Sequence, residues 1–231
     1  MLPRVLEPEV MDTADDAREY DAMDHAAVNA VFVNDLLAAL SNWSLKRPVH
    51  SDATPLNILD LGAGTVQIPI ELVRRAPHVH ITAIDASASM LALARTNVAA
   101  AGLTDRIDLL LADAKHLPFD TATFPIVISN SIVHHIAEPR AVIAEAIRVT
   151  ALGGLLFHRD LARPNDEVTL AQLVATYAAE STPYQRRLFA DSLRAALTAD
   201  EMANLVASFG FNPDTVRTTS DRHWTWLAAR R

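Results

Sequence analysis

The sequence predicts an α/β fold: an open, mostly parallel sheet with helices wound on both faces. Three observations predict it. Asn57 to Ala86 reads as an apolar run, a glycine turn, a helix-like segment, a second apolar run and an acid. Further apolar runs recur at Ile107–Ala112, Ile126–Ser129 and Leu155–Asp160, with helical patterns between them. Hydrophobic residues make up 50% of the 231, enough to cover a sheet on both faces.

The first unit carries the chemistry. Ile58, Leu59, Asp60 and Leu61 run into Gly62 and Gly64, Gln67 to Ala76 is helix-like, and Ile81 to Ile84 ends in Asp85. Glycine has no Cβ, so the turn can take φ > 0 and a ligand can lie on bare backbone. Asp85 falls 23 residues after Gly62, at the carboxyl end of the neighbouring strand, where a carboxylate accepts ribose hydroxyls. An adenosine-bearing cofactor is therefore expected. Nicotinamide enzymes share this plan, but Gln67 stands where their third glycine would be. A reductase's Tyr-x-x-x-Lys pair is missing too, because Tyr20, Tyr177 and Tyr184 are followed four residues on by Asp24, Ser181 and Leu188. Asp60, two residues before the first glycine, and the missing third glycine favour S-adenosylmethionine, which has no pyrophosphate to cradle.

On these residues the chain resembles the class I S-adenosylmethionine-dependent methyltransferases, whose first motif is acid-x-Gly-x-Gly-x-Gly. Here it reads Asp60, Gly62 and Gly64, with Val66 in place of the last glycine. The resemblance implies a seven-stranded sheet of order 3-2-1-4-5-7-6 with the last strand antiparallel. It puts the ribose at Asp85 and Ala86, and Met90, early in the next helix, against the adenine. Core packing is the plain alternative for Met90 or Leu91. Ala112 to Phe119 resembles the family's third cofactor segment, so Asp113, with Ala114 behind it, is expected to accept from the adenine amino group. Two strand-end acids 28 residues apart are a more specific signal than either alone. Arg148 to Phe157 matches the family's arginine-x-leucine-x-proline-glycine-glycine pattern loosely, and Gly153-Gly154 is read as a turn into the fifth strand.

Ligands of an open α/β sheet sit at the carboxyl ends of its strands. Asn130 to Ile136, after the fourth strand, is therefore expected to line the site, with Asn130 near the cofactor and His134 or His135 as first-choice general base. As a metal site the pair reads poorly: neighbours on a helix point about 100° apart, and no third ligand is evident nearby. No metal is expected. Arg159 and Asp160 close the fifth strand, as a mutual salt bridge or as substrate contacts.

Residues 1–12 hold Pro3 and Pro8 without a period, an irregular arm. Asp15 and Asp16 suit a first helical turn, and Ala27 to Leu40 is apolar on most of its circumference. Ser41 to Pro55 is read as a linker, giving an N-terminal arm and helical lid at 1–55 and a cofactor-binding domain at 56–231. By resemblance, Tyr20, Met23, Asp24 and His25 are lid candidates, Tyr20 as a cofactor contact and His25 as second-choice base; packing and solvation are the even alternative. Toward the C-terminus, Thr198 and Glu201 form a capping box. Arg186, Arg187 and Arg194 read first as a solvated helix face, and second as a site for an anionic substrate. Of Trp224 and Trp226 one is expected in the core, and Arg222 and His223 at the pocket or the sheet edge.

A net charge of −8, with no run of Lys or Arg longer than two, argues against nucleic acid as partner and for a small molecule. The absence of cysteine excludes disulfides, zinc-thiolate sites and cysteine nucleophiles. No basic-then-apolar leader or membrane-length apolar run is present, so a cytoplasmic protein off the membrane is expected. The expected function is in-line methyl transfer to a small molecule on O, N or S. A base is needed for a hydroxyl or protonated amine, and none for a sulfide, thiol or halide. A non-catalytic cofactor-binding subunit is the alternative of another class.

Overall fold

The computed structural model describes residues 2–7, 13–23, 25–44 and 55–231. Strands β1 (Leu56–Leu61), β2 (Val79–Asp85), β3 (Ile107–Leu111), β4 (Phe124–Asn130), β5 (Thr150–Leu161), β6 (Val216–Ser220) and β7 (His223–Ala229) form one sheet in the order β3-β2-β1-β4-β5-β7-β6. β1 pairs in parallel with β2 and β4, β2 with β3, and β6 runs antiparallel to β7. The helices are α1 (Ala14–Asp21), α2 (Ala26–Ser44), α3 (Gln67–Arg75), α4 (Ala88–Ala101), α5 (Pro139–Val149), α6 (Glu167–Tyr177), α7 (Pro183–Ala195) and α8 (Ala199–Ala207). Among the described residues no helix is long and apolar enough to cross a membrane. The chain divides into two compact units: a first of Val10–Ser129, Glu145–Phe157 and Ala229–Arg231, and a second of Met1–Glu9, Asn130–Ala144 and His158–Ala228.

In the first unit, Ile58, Leu59 and Leu61 of β1 are wholly buried, as an interior parallel strand requires. α2 contributes Phe32, Val33, Leu36, Leu40 and Trp43 to the same core as Ile58, Leu72, Ile81, Ile126 and Phe157. Phe32 meets Phe157 edge-on at 5.1 Å. Each such side chain contributes about 1.5–3 kcal/mol by leaving water, so α2 is held by its apolar face. It runs on to Ser44 instead of ending at Leu40, because Trp43 falls one turn beyond Leu40 on that face. Its indole N–H donates to the Gly153 carbonyl at 3.1 Å. The rest of the expected linker, residues 45–54, lies outside the described residues.

A second difference concerns β5, which starts at Thr150. Gly153 and Gly154 do not turn the chain; the Gly153 N–H donates to Arg230 O at 2.6 Å and the Arg230 N–H to Gly154 O at 2.9 Å. A Cβ on Gly154 would lie 2.7 Å from the carbonyl oxygens of Ala151 and Pro125, so glycine is needed there for close approach.

The helix after β2 begins as the sequence indicates. The Ser87 hydroxyl accepts from Met90 N at 3.1 Å, and Gly102 ends α4 at φ 68°. Val66, where the family has glycine, takes φ 63° and is wholly buried. A β-branched residue there is strained by about 1–3 kcal/mol, offset by its place in the core. Alanine keeps the strain and loses the packing, whereas glycine loses only the packing. Val66→Ala is therefore expected to be about 1 kcal/mol less stable than Val66→Gly in urea unfolding, the reverse of the usual order.

In the second unit Trp224 and Trp226 are both fully buried, not one of them. Trp226 meets Phe211 edge-on at 5.2 Å and His158 at 5.3 Å. Burial pushes the His158 imidazole down to about 3, so it packs as a neutral ring. The Thr198–Glu201 capping box is formed. So is one at Thr182–Gln185 that opens α7.

Candidate active site

The glycine turn is built from both sides. Gly62 and Gly64 take φ 69° and 55°, and Asp85 ties the turn to the start of α4: its Oδ2 accepts from Gly64 N and its Oδ1 from Ser87 N, each at 2.8 Å. On the other side, Asp21 at the end of α1 accepts from the Gln67 amide at 3.2 Å and the Asn97 amide at 3.1 Å. Asn97 also donates to Thr65 O at 3.1 Å. This clamp sets Tyr20 over the turn, with Cε1 3.7 Å from where a Cβ on Gly64 would stand. The Gln67 that replaces the third glycine is thus a tether for α1. Asp21 was not among the residues singled out by sequence; the amides it binds come from separate helices.

Electrostatics in this corner is one-sided. Burial, then the charge of Asp85, holds the Asp60 carboxyl well above the usual range. Burial and the charges of Asp85, Asp21 and Asp60 push the Tyr20 hydroxyl up to about 12. His25 lies beside Tyr20, ring centroids 5.1 Å apart; Asp24 is outside the described residues. A buried carboxyl such as Asp60, with Asp85 and Asp21 near it, fits a ligand that brings positive charge, and the positive-φ glycines fit one that lies on backbone. The sulfonium and ammonium of S-adenosylmethionine meet both conditions.

Along the same unit, Asp113 follows β3. Burial raises its carboxyl, but the backbone N–H of Lys115 at 2.8 Å and its ammonium at 3.2 Å outweigh that and leave it below the usual range. Met90 and Ala114 are buried, Ala86 is exposed, and Leu91 is the residue that joins the main core.

The histidine pair belongs to the second unit. β4 ends at Asn130, Ser131 takes φ 60°, and Val133–His135 forms a 3-10 turn. Asp160, fully buried, organises it: Oδ2 accepts from Val133 N at 2.6 Å and His134 N at 3.2 Å, and Oδ1 meets His134 Nδ1 at 2.5 Å. Burial raises the Asp160 carboxyl, but the charge and hydrogen bond of His134 bring it below the usual range. Burial in turn lowers the His134 imidazole, while Asp160 and Glu7 raise it further than that. The neighbouring Arg159 donates from Nε to Thr225 Oγ1 at 2.9 Å.

The pair is not isolated, contrary to the sequence expectation. The tighter 3-10 turn brings the two rings to 4.1 Å, and Glu7 Oε1 lies 3.4 Å from His134 Nε2 and 3.0 Å from His135 Nδ1. Glu7 reaches them because the arm is anchored. Arg4 donates to Ala195 O at 2.6 Å and Ile136 O at 2.9 Å, and Val5 N donates to Arg194 O at 3.1 Å. The three arginines of α7 act as structural groups: Arg186 binds Ala178 O at 3.0 Å, Arg194 binds Glu167 at 2.9 Å, and Arg187 lies over the Tyr184 ring. His223 is held by Ser220 at 2.8 Å, and Arg222 lies over the Tyr177 ring.

A family model described as a methyltransferase domain matches residues 58–154. The chain is 32% identical over 197 residues to malonyl-[acyl-carrier protein] O-methyltransferase of Geobacter sulfurreducens, covering 84% of this chain and 66% of that protein. It is 30% identical over 141 residues to the ubiquinone/menaquinone biosynthesis C-methyltransferase UbiE of Roseobacter denitrificans, covering 61% and 53%. The chain carries a class I S-adenosylmethionine-dependent methyltransferase domain. It spans just over half to about two thirds of the length of these relatives. The methyltransferase fold also matches the crystal structure of the plantazolicin methyltransferase BpumL in complex with a monoazolic desmethylPZN analog and SAH: TM-score 0.68, 16% identity, 94% of this chain and 91% of that one.

The buried acid of the methyltransferase domain gives a pH test. Asp60 is neutral below its raised pKa, and a cationic ligand favours its ionised form. S-adenosylmethionine affinity is therefore expected to rise with pH through that range, by at most about tenfold per pH unit, and then level off. Asp60→Asn is expected to bind weakly with a flat profile in calorimetry.

Proposed function

We propose that the chain transfers a methyl group from S-adenosylmethionine to a small-molecule acceptor by in-line displacement. The observation that carries this is the corner formed by Gly62, Gly64, Asp60 and Asp85 under Tyr20, where two positive-φ glycines lie beside the buried Asp60 carboxyl and Asp85 ties the turn to α4. Bound there, S-adenosylmethionine supplies an electrophilic methyl carbon on a cationic sulfur. The protein's part is to orient the cofactor and exclude water. Asp60 faces the cofactor's positive groups, Asp85 and Ala86 receive the ribose, and Met90, Asp113 and Ala114 serve the adenine.

The two relatives are named for methylation at carbon and at oxygen, so their names divide on the acceptor atom. Where the acceptor must lose a proton, His25 is the base we favour, because it lies beside Tyr20 in the unit that holds the glycine turn. His134, first choice by sequence, has Asp160 at one ring nitrogen and Glu7 at the other. S-adenosylhomocysteine formation is measured against two acceptor sets, one of sulfides, thiols and halides and one of hydroxyl, amine and carbon-acid compounds. Turnover of the second set with a 10²- to 10⁴-fold lower kcat in His25→Ala supports the reading. Turnover of the first set alone, with His25→Ala unaffected, removes the base. Cofactor binding without turnover in either set favours a binding subunit.

A further inference from the structure

The methyl-transfer reading leaves Glu7, His134 and His135 without a task. Their ligand atoms, among the described residues, all lie within 4.8 Å of one another. We propose that these three side chains bind a divalent transition-metal ion, zinc being the natural choice, which fastens the N-terminal arm to the 3-10 turn after β4.

The donor set suits the ion. Two imidazole nitrogens and one carboxylate oxygen are ligands for zinc and its neighbours, and leave a coordination position for water. Ligands at zinc-like bond lengths stand about 3.0–3.4 Å apart in octahedral or tetrahedral geometry. Glu7 Oε1 stands 3.4 Å from His134 Nε2 and 3.0 Å from His135 Nδ1. The tautomer is also set. Asp160 Oδ1, 2.5 Å from His134 Nδ1, accepts that nitrogen's proton and leaves the Nε2 lone pair toward Glu7. A carboxylate behind a ligating histidine is the usual outer support of a metal site. His135 Nδ1 is buried and makes no hydrogen bond despite its closeness to Glu7, as expected of a lone pair directed at a shared centre. His134 and Asp160 are themselves enclosed, with 4% and 1% of their side chains exposed, so the groups are fixed before an ion arrives.

The competing occupant of this gap is a proton shared between Glu7 and a histidine. The experiment that separates them uses untagged full-length chain, stripped with chelator and dialysed. Zinc is titrated by calorimetry, and cobalt(II) by its visible absorption, which reports nitrogen and oxygen ligation directly. One equivalent at micromolar affinity or tighter is expected. Glu7→Gln and His135→Ala should each lose at least about tenfold in affinity, Asp160→Asn about 10- to 100-fold, and a surface control, His80→Ala, nothing. Circular dichroism checks that each variant is folded. Because metal binding is read without methyl transfer, the outcome is independent of the function proposed above. Absence of stoichiometric binding, or binding that survives both Glu7→Gln and His135→Ala in folded protein, overturns the site and leaves the proton as its occupant.

Discussion

Asp85→Ala is expected to weaken S-adenosylmethionine binding about 100-fold or more while the chain stays folded. Two effects add. The Asp85 carboxylate is the group proposed to accept the ribose hydroxyls, and hydrogen bonds to a charged group contribute about 1.5–3 kcal/mol each. It also accepts from Gly64 N and Ser87 N, both at 2.8 Å, so its loss frees the glycine turn from α4 and adds an ordering cost to binding. Stability should fall less, because Asp85 and Gly64 are only half-buried. Asp85→Asn keeps one acceptor oxygen and should fall between, at about tenfold. Calorimetry with S-adenosylmethionine and S-adenosylhomocysteine checks this; Asp85→Ala binding within threefold of the parent would remove Asp85 from the cofactor site.

The largest stability effect is expected at Asp160. Its carboxylate is fully buried and accepts from Val133 N, His134 N, Leu161 N and the His134 ring. Removing one partner of a buried charged pair costs about 3–5 kcal/mol, because the other charge and the freed N–H groups remain out of water. Asp160→Ala should therefore lose about that much in urea unfolding, with the slope on denaturant unchanged. Asp160→Asn retains acceptor capacity and should lose about half as much. A loss below about 1 kcal/mol for Asp160→Ala would mean that water replaces the carboxylate and that the turn is not built on it.

The fold, and part of the candidate site, were legible in the sequence for a physical reason. An interior parallel strand is largely apolar, and an acid near its carboxyl end stands out against that run, so Asp60 and Asp85 mark β1 and β2 directly; Asp113 follows the edge strand β3. The Ser87 cap and the Thr198–Glu201 box are local chemistry and were equally plain. What stayed hidden depends on partners distant in the chain. Gly153-Gly154 looks like a turn, and the close approach of Pro125 O, with Ala151 O, to Gly154 explains glycine inside a strand. Asp21 looks like a solvated helix end until the amides of Gln67 and Asn97 are brought to it. Glu7 lies in an arm without any period, and nothing local ties it to His134 and His135. Asp160 reads with its neighbour Arg159, and nothing local ties it to Val133 and His134.

The central claim is that the corner under Tyr20 presents a methyl donor for transfer. Its most direct test is incubation of the purified chain with S-adenosylmethionine labelled in the transferable methyl group, with acceptors from both sets, following label and S-adenosylhomocysteine together. The account predicts label in a small-molecule product in one-to-one ratio with S-adenosylhomocysteine, lost in Asp85→Ala. Tight S-adenosylmethionine binding with no labelled product from any acceptor, or product formation undiminished in Asp85→Ala, would contradict it.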